Sequence, residues 1–267
     1  MKEFLRAHEW WKRLRNPPYR RRVREVERLR RSPRNLQMTT GLLGKPLQIT
    51  DPASFLTMYE EIFENEYYRF SSPSPCPRIL DAGANIGLAC IYWKKLYPDA
   101  RITAFEPDPG LLLVLEENLQ SFDLTDVEVV AAALSDEKGS GRFDPRGGAA
   151  GRLSDSKTAG QVEVQQVLLS SRLNEPIDLL KLDIEGKEID VLQECRGQLN
   201  RVERLFVEYH RFKDQPTRLR ELLDILETAG FDAFIQSNCI VSQPFVKRPD
   251  WDGIEMALNI FAERKNL

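Results

Sequence analysis

From Arg78 onward, short apolar runs alternate with longer segments whose apolar positions recur every three or four residues. The short runs are RILDAG, ARITAFEP, VEVVAAAL, IDLLKLDI, VERLFVEY, FDAFIQS and EMALNIFAE. Among them lie IGLACIYWKKLY, GLLLVLEENLQ, KEIDVLQEC and TRLRELLDILETAG, the last closing at Gly230. Short apolar runs suit strands buried on both faces, and the longer segments suit crossover helices. The pattern therefore predicts an α/β fold with seven strands in a doubly wound, mostly parallel sheet and helices on both faces.

Upstream, DPASFLTMYEEIFENEYYRF (residues 51–70) places Phe55, Met58, Tyr59, Ile62 and Phe63 on one helical stripe behind an Asp51 cap and a first-turn Pro52, predicting a helix packed on the core. The following SSPSPCP cannot continue a helix and marks a junction. Residues 139–160 hold six of the fifteen glycines and little apolar material, which reads as an exposed, flexible loop with short strands at Arg142-Phe143 and Val162-Glu163-Val164. The organisation expected is an arm over residues 1–35, a helical lead-in and Pro-rich junction over 36–77, and the main domain over 78–267.

Composition changes this picture at one end. The chain has 267 residues, 42% hydrophobic and 30% charged, enough for one catalytic-size core. Its net charge is −3, yet residues 1–35 carry 13 Lys/Arg against 4 Asp/Glu, so the arm is +9 and the remainder −12. The arm also holds Phe4, Leu5, Trp10 and Trp11, and Pro17-Pro18 divides it into two short helical candidates. It suits an anionic membrane surface or, less well, nucleic acid; packing on the acidic remainder is the alternative. No apolar run reaches the roughly 20 residues of a membrane span, and the start is too charged for a secretory signal, so a cytoplasmic chain, peripheral to the membrane at most, is expected. Cys76, Cys90, Cys195 and Cys239 form no C-x-x-C pair, which disfavours a zinc ribbon or redox dithiol.

The chemistry-bearing residues sit at the ends of the predicted strands. The first strand runs into Asp81-Ala82-Gly83-Ala84-Asn85-Ile86-Gly87, and a helix follows at once. This is G-x-N-x-G, not the G-x-G-x-x-G of a dinucleotide loop, and Asp81 would repel a pyrophosphate. S-adenosylmethionine carries a sulfonium and an ammonium and no phosphate, so an acidic loop suits it. Glu106, nineteen residues after Gly87, stands where a ribose-binding acid is expected. Ala132-Ala133-Leu134 is small and apolar enough to lie against adenine. Asp183 and Glu185 end the fourth strand, on one face by the period of two, beside the first strand at the switch point. They could take a hydroxyl proton or hold a divalent cation. Glu208 and His210 share a face of the fifth strand, and His210 is a further candidate base.

Together ILDAGANIG, AFEP, AALSD, LLKLDIEGKEIDVL, VEYH and NIFAE, across residues 78–263, resemble the FkbM family of S-adenosylmethionine-dependent methyltransferases; EEIFENEYYRF looks like the family's lead-in helix. The resemblance implies the class I methyltransferase, Rossmann-like sheet and transfer to a hydroxyl oxygen of a small molecule or glycan. It implies cofactor contacts at Asp81, Gly83, Ala84, Asn85, Gly87, Glu106, Pro107, Ala133 and Asp183. Catalysis would fall to Asp183, Glu185 and, less securely matched, His210, with Mg2+ a candidate to share the work. A nicotinamide oxidoreductase, a nucleic-acid methyltransferase using the arm and a silent binding module are the rival readings. The 139–160 segment is expected to border the acceptor cleft, with Arg146 and Arg152 within reach of substrate.

Overall fold

The computed structural model describes residues 16–145, 151–153, 160–213, 215–238, 242–246 and 253–265. Phe4, Leu5, Trp10, Trp11, Arg146 and Cys239, singled out above, lie outside the described residues.

In chain order the lead-in comprises α1 (Pro17–Arg30), β1 (Met38–Thr40), β2 (Leu47–Ile49) and α2 (Pro52–Tyr59). The main sheet and its helices follow as β3 (Arg78–Ala82), α3 (Leu88–Leu96), β4 (Arg101–Phe105), α4 (Pro109–Ser121) and β5 (Glu128–Val130). A side sheet is then built from β6 (Ala133–Ser135), β7 (Gly139–Asp144), β8 (Arg152–Leu153) and β9 (Val162–Leu168). The chain returns to the main sheet through β10 (Leu179–Leu182), α5 (Glu188–Glu194), β11 (Arg204–Phe212), α6 (Leu219–Thr228), β12 (Phe231–Ser237) and β13 (Ile254–Arg264).

The main sheet has seven strands in the order β12-β13-β11-β10-β3-β4-β5. Its four pairings from β11 to β5 are parallel, and β13 runs antiparallel to both neighbours, so the sheet is mixed, with one reversed strand near an edge. Side chains alternate between two cores, as a doubly covered sheet requires. Ile79, Ile102 and Leu179 join Ile91 of α3 and Leu115 of α4 on one face; Leu80, Leu180 and Val207 join Val191 of α5 and Leu222 of α6 on the other. The strand order reverses between β10 and β3, opening a crevice at their carboxyl ends.

Pro17 and Pro18 occupy the first turn of α1 behind an Asn16 cap, where a missing N–H costs nothing, so α1 is the second of the two helical candidates; the first lies outside the described residues. Leu29 of α1 is 1% exposed within the main core, and Arg34 and the Asn35 N–H bond the buried Asp51. The described part of the arm is thus integral to the body. The lead-in helix stops short of Phe70: α2 passes into a π turn at Glu60–Glu64, and the chain leaves the helix at Asn65. The glycine-rich segment carries the short strands expected at Arg142-Phe143 and Val162-Glu163-Val164, within β7 and β9, which pair antiparallel; beyond that expectation, Ala133–Ser135 leaves the main sheet to pair in parallel with Gln166–Leu168. Among the described residues, no helix is long and apolar enough to cross a membrane.

Candidate active site

The loop after β3 is built from left-handed residues: Gly83, Asn85 and Gly87 have φ of 84°, 50° and 87°. Glycine is required at 83 for a second reason. A Cβ there would lie 1.9 Å from the carbonyl oxygen of Asp183, so the loop rests directly on the end of β10. The N–H groups of Gly83 and Ala84 both donate to the Phe105 carbonyl, at 3.1 and 3.0 Å, which ties the loop to β4 as well.

Glu106 follows β4 and is 4% exposed. Its Oε2 accepts from the Asn85 N–H at 2.8 Å and its Oε1 from the Asp108 N–H at 2.9 Å. Burial pushes its pKa up to about 7, against the pull of those two donors. Asp108 in turn caps α4 through Gly110 N–H. A carboxylate has about four acceptor directions, so each Glu106 oxygen keeps one for a ligand.

A cavity of about 510 Å³ lies between the loop and the ends of β10 and β11. Gly83, Ala84, Asn85, Phe105, Glu106, Pro107, Ala132 and Ala133 form the wall at the loop end. Asp183, Glu185 and Glu208 line the other end, with Glu61 and Met58 from the lead-in and Phe143 and Leu153 from the side sheet. Of the residues anticipated in the cofactor loop, two are not on the wall. Gly87 caps α3, and a Cβ there would press on Leu115. Asp81 is fully buried beneath the loop, 3.2 Å from the Lys181 ammonium, and accepts from the Cys90 thiol. Its charge is therefore matched inside the protein, and it does not face the cavity as the loop sequence suggested.

Asp183 and Glu185 do converge, though not by strand periodicity. The strand ends at Leu182, and Glu185 takes a left-handed φ of 57° before Gly186, so a tight turn folds the two carboxylates together. Ligand atoms of Asp183, Glu185 and His210 lie within 4.8 Å of one another. His210 is 7% exposed; its Nδ1 is 3.3 Å from Glu188 Oε1, and its Nε2 is 3.6 Å from Glu208 and 3.8 Å from Glu185. Burial alone would lower the imidazole pKa, but Glu185, Glu188 and Glu208 together hold it well above its ordinary value. Burial raises Asp183 and Glu185 above the usual carboxylate range. Glu61 is pushed up to about 8, by burial and then by the nearby charges of Glu208 and Asp183.

Sequence reasoning missed Lys181, Glu188 and Glu61. Lys181 had a signal, the one basic residue inside the largely apolar run IDLLKLDI. Glu188 looks like any acid in a first helical turn, where acids are common. Glu61 lies three residues after Met58 on the same helical face, but a single acid on a helix reads as solvated.

A profile of the methyltransferase FkbM domain matches residues 81–233. Methyltransferase sdnD of Sordaria araneosa is 32% identical over 216 residues, which cover 66% of this chain and 81% of the relative. The 2-O-methyltransferase NoeI of Sinorhizobium fredii is 27% identical over 57% of this chain and 72% of its own length. The crystal structure of the methyltransferase FkbM from Methylobacillus flagellatus aligns with a TM-score of 0.50 at 17% identity, over 74% of this chain; the chain spans about half of that protein's length.

Proposed function

The chain belongs to the FkbM family of S-adenosylmethionine-dependent methyltransferases, and on that premise we propose that it methylates a hydroxyl oxygen of a small-molecule or sugar-type acceptor. The observation that carries the reading is the meeting, in one cavity, of a backbone-held Glu106 with Asp183, Glu185 and Glu208, the last two beside the buried His210 that lies behind the wall. The name of the 2-O-methyltransferase relative agrees with oxygen as the target.

The residues fit S-adenosylmethionine on their own chemistry. Glu106 offers two aimed oxygens to the ribose hydroxyls, Ala132, Ala133 and Phe105 present an apolar wall to adenine, and Gly83 admits close backbone approach. The cavity volume lies within the usual range for cofactor sites. When bound, the cofactor supplies a methyl group on a positively charged sulfur, already activated for displacement. The protein's share is then to hold the acceptor in line and to take its proton.

An alcohol hydroxyl is far too weak an acid to ionise unaided near neutral pH, so a base must accept its proton as the oxygen attacks. Asp183 is the assigned base, since it is the most accessible of the cluster, 24% exposed against 14% for Glu185 and 5% for His210. Glu185 is second. His210 has carboxylate oxygens near both ring nitrogens and serves best as the imidazolium that balances them. Magnesium does not fit this cluster. That ion prefers octahedral oxygen ligands, whereas one of the three groups here is an imidazole whose nitrogens face acids.

Outside the site, the exposed Arg20, Arg21, Arg24 and Arg30 of α1 support an anionic membrane surface as the arm's partner. Co-sedimentation with anionic vesicles should fall when these four are changed to Gln; equal sedimentation removes the proposal. The function itself is tested with a trideuteriomethyl donor and a panel of sugars and polyols followed by mass spectrometry. Label on a hydroxyl oxygen is expected. Label only on nitrogen or carbon of the products would overturn the oxygen assignment.

A further inference from the structure

The lysine inside β10 has a place that neither the loop nor the acid cluster explains. Lys181 and Asp81 are register partners on the adjacent strands β10 and β3, and the lysine side chain is 5% exposed. Its ammonium donates to the Gly83 carbonyl at 2.9 Å and lies 3.4 Å from the Ala82 carbonyl. The same nitrogen is 3.2 Å from Asp81 Oδ1 and 3.4 Å from Asp183 Oδ2, and it sits over the Tyr68 ring at 5.9 Å. An ammonium has three protons, and here they are shared between the loop that would seat the cofactor and the carboxylate that would face the acceptor. Gly83 is pressed against the Asp183 carbonyl on the other side, so the two segments cannot shift independently without breaking either that contact or the ammonium's bonds.

We propose that Lys181 is a positioning residue for methyl transfer: its buried ammonium clamps the Gly83 carbonyl and the Asp183 carboxylate in one geometry, so that cofactor loop and proton acceptor are set as a unit. This rests on the functional reading above and assigns it a residue of the cavity wall that acts through Gly83 and Asp183. Lys181 also explains the inward turn of Asp81, whose carboxylate would otherwise be a buried, uncompensated charge. The ammonium stays charged, because burial disfavours it less than Asp81 and Asp183 favour it.

The test uses the full chain, with calorimetric titration by S-adenosylmethionine and S-adenosylhomocysteine as probes. Lys181→Met keeps the stem and removes the charge. Since it strands Asp81, the double variant Lys181→Met with Asp81→Asn removes the buried pair together and preserves neutrality at that point. The folded double variant should bind both probes about 10- to 100-fold more weakly, the cost of losing a charged hydrogen bond that orders the loop. In Lys181→Ala, ethylammonium should restore part of that affinity and propanol none, a rescue that a purely packing role would not show. Wild-type-like affinity in the folded double variant would overturn the inference and leave Lys181 as a counter-ion of Asp81. Failure of the unmutated chain to bind either probe would instead overturn the cofactor reading, and this inference with it. If the variants do not fold, labelled unmutated protein decides. Addition of S-adenosylhomocysteine should move the Lys181 side-chain nitrogen and Asp183 carboxyl carbon resonances together, and movement of only one contradicts the clamp.

Discussion

The two ends of the cavity hold carboxylates in opposite ways. Glu106 is fixed by two backbone N–H groups, donors that neither titrate nor move unless the loop itself does. At the other end the acids face charged side chains instead: Lys181 lies against Asp183 and the His210 imidazole against Glu185 and Glu208, while Glu188 behind them accepts from the Gly186 N–H. An acid aimed by backbone amides keeps its oxygens in place and suits binding. Acids that compete for protons change charge with small changes around them, which suits proton transfer. On the proposed function, holding and reacting would fall to opposite ends of one cavity.

The largest effect should come from the reacting end. Asp183→Asn, in a folded protein with an accepted hydroxyl substrate, should lower turnover about 10²- to 10⁴-fold, the usual contribution of a positioned base. Turnover of the unaltered protein should rise with pH along a limb lying above the ordinary carboxylate range, since burial raises the acids of this cluster. A limb at the ordinary carboxylate value would place the base elsewhere.

Next in size is a change far from both ends. Leu29→Ala opens a hole in the core beneath α1 and should cost ~2–5 kcal/mol in urea unfolding. A cost near zero would mean that α1 only rests on the body.

The holding end sharpens the comparison through pH. Glu106 and Glu61 titrate at about 7 and about 8 in the fold, above the 4.5 of a free glutamate. The stability they contribute as neutral acids is present below about pH 4.5 and lost as pH climbs through the folded values. Glu25, lowered to about 2 by its bond to Arg28, works the other way and weakens the fold only in strong acid. The cofactor-free protein should therefore become less stable between about pH 5 and pH 8, with Glu106 contributing on the order of 3 kcal/mol. Thermal unfolding of Glu106→Gln should show a shallower slope; an unchanged slope contradicts the assignment. The smallest effect concerns metal: chelator should leave turnover unchanged within about twofold. Loss restored by magnesium would break the ion-pair reading of the cluster.

The legible parts of this molecule are those in which local pattern and tertiary role coincide. The alternation of Ile79 and Leu80 between two cores is already present as an apolar run, and α6 follows the helical period of TRLRELLDILETAG. Glu106 was singled out by its spacing from the glycine loop and its place at a strand end, and the structure puts it on the cavity wall. Asp183, Glu185 and His210 were identified for a partly mistaken reason, since a left-handed turn and not strand period joins the first two. Glu61 was overlooked although it follows Met58 on one helical face, because an acid on a helix reads as solvated; of the side sheet, the strands at Arg142-Phe143 and Val162-Glu163-Val164 were legible and the departure of Ala133–Ser135 from the main sheet was not. The burial of Asp81 against Lys181 was not legible, because the two are 100 residues apart in sequence and adjacent in space.

The separation of holding from reacting is tested most directly by the dissociation constant for S-adenosylmethionine, measured by calorimetry on the unaltered chain, Glu106→Gln and Glu185→Gln. The account predicts binding by the unaltered chain, about 10- to 100-fold weaker binding for folded Glu106→Gln, and a change of less than about threefold for Glu185→Gln. Equal affinities for Glu106→Gln and the unaltered chain, or a larger loss for Glu185→Gln than for Glu106→Gln, would contradict it.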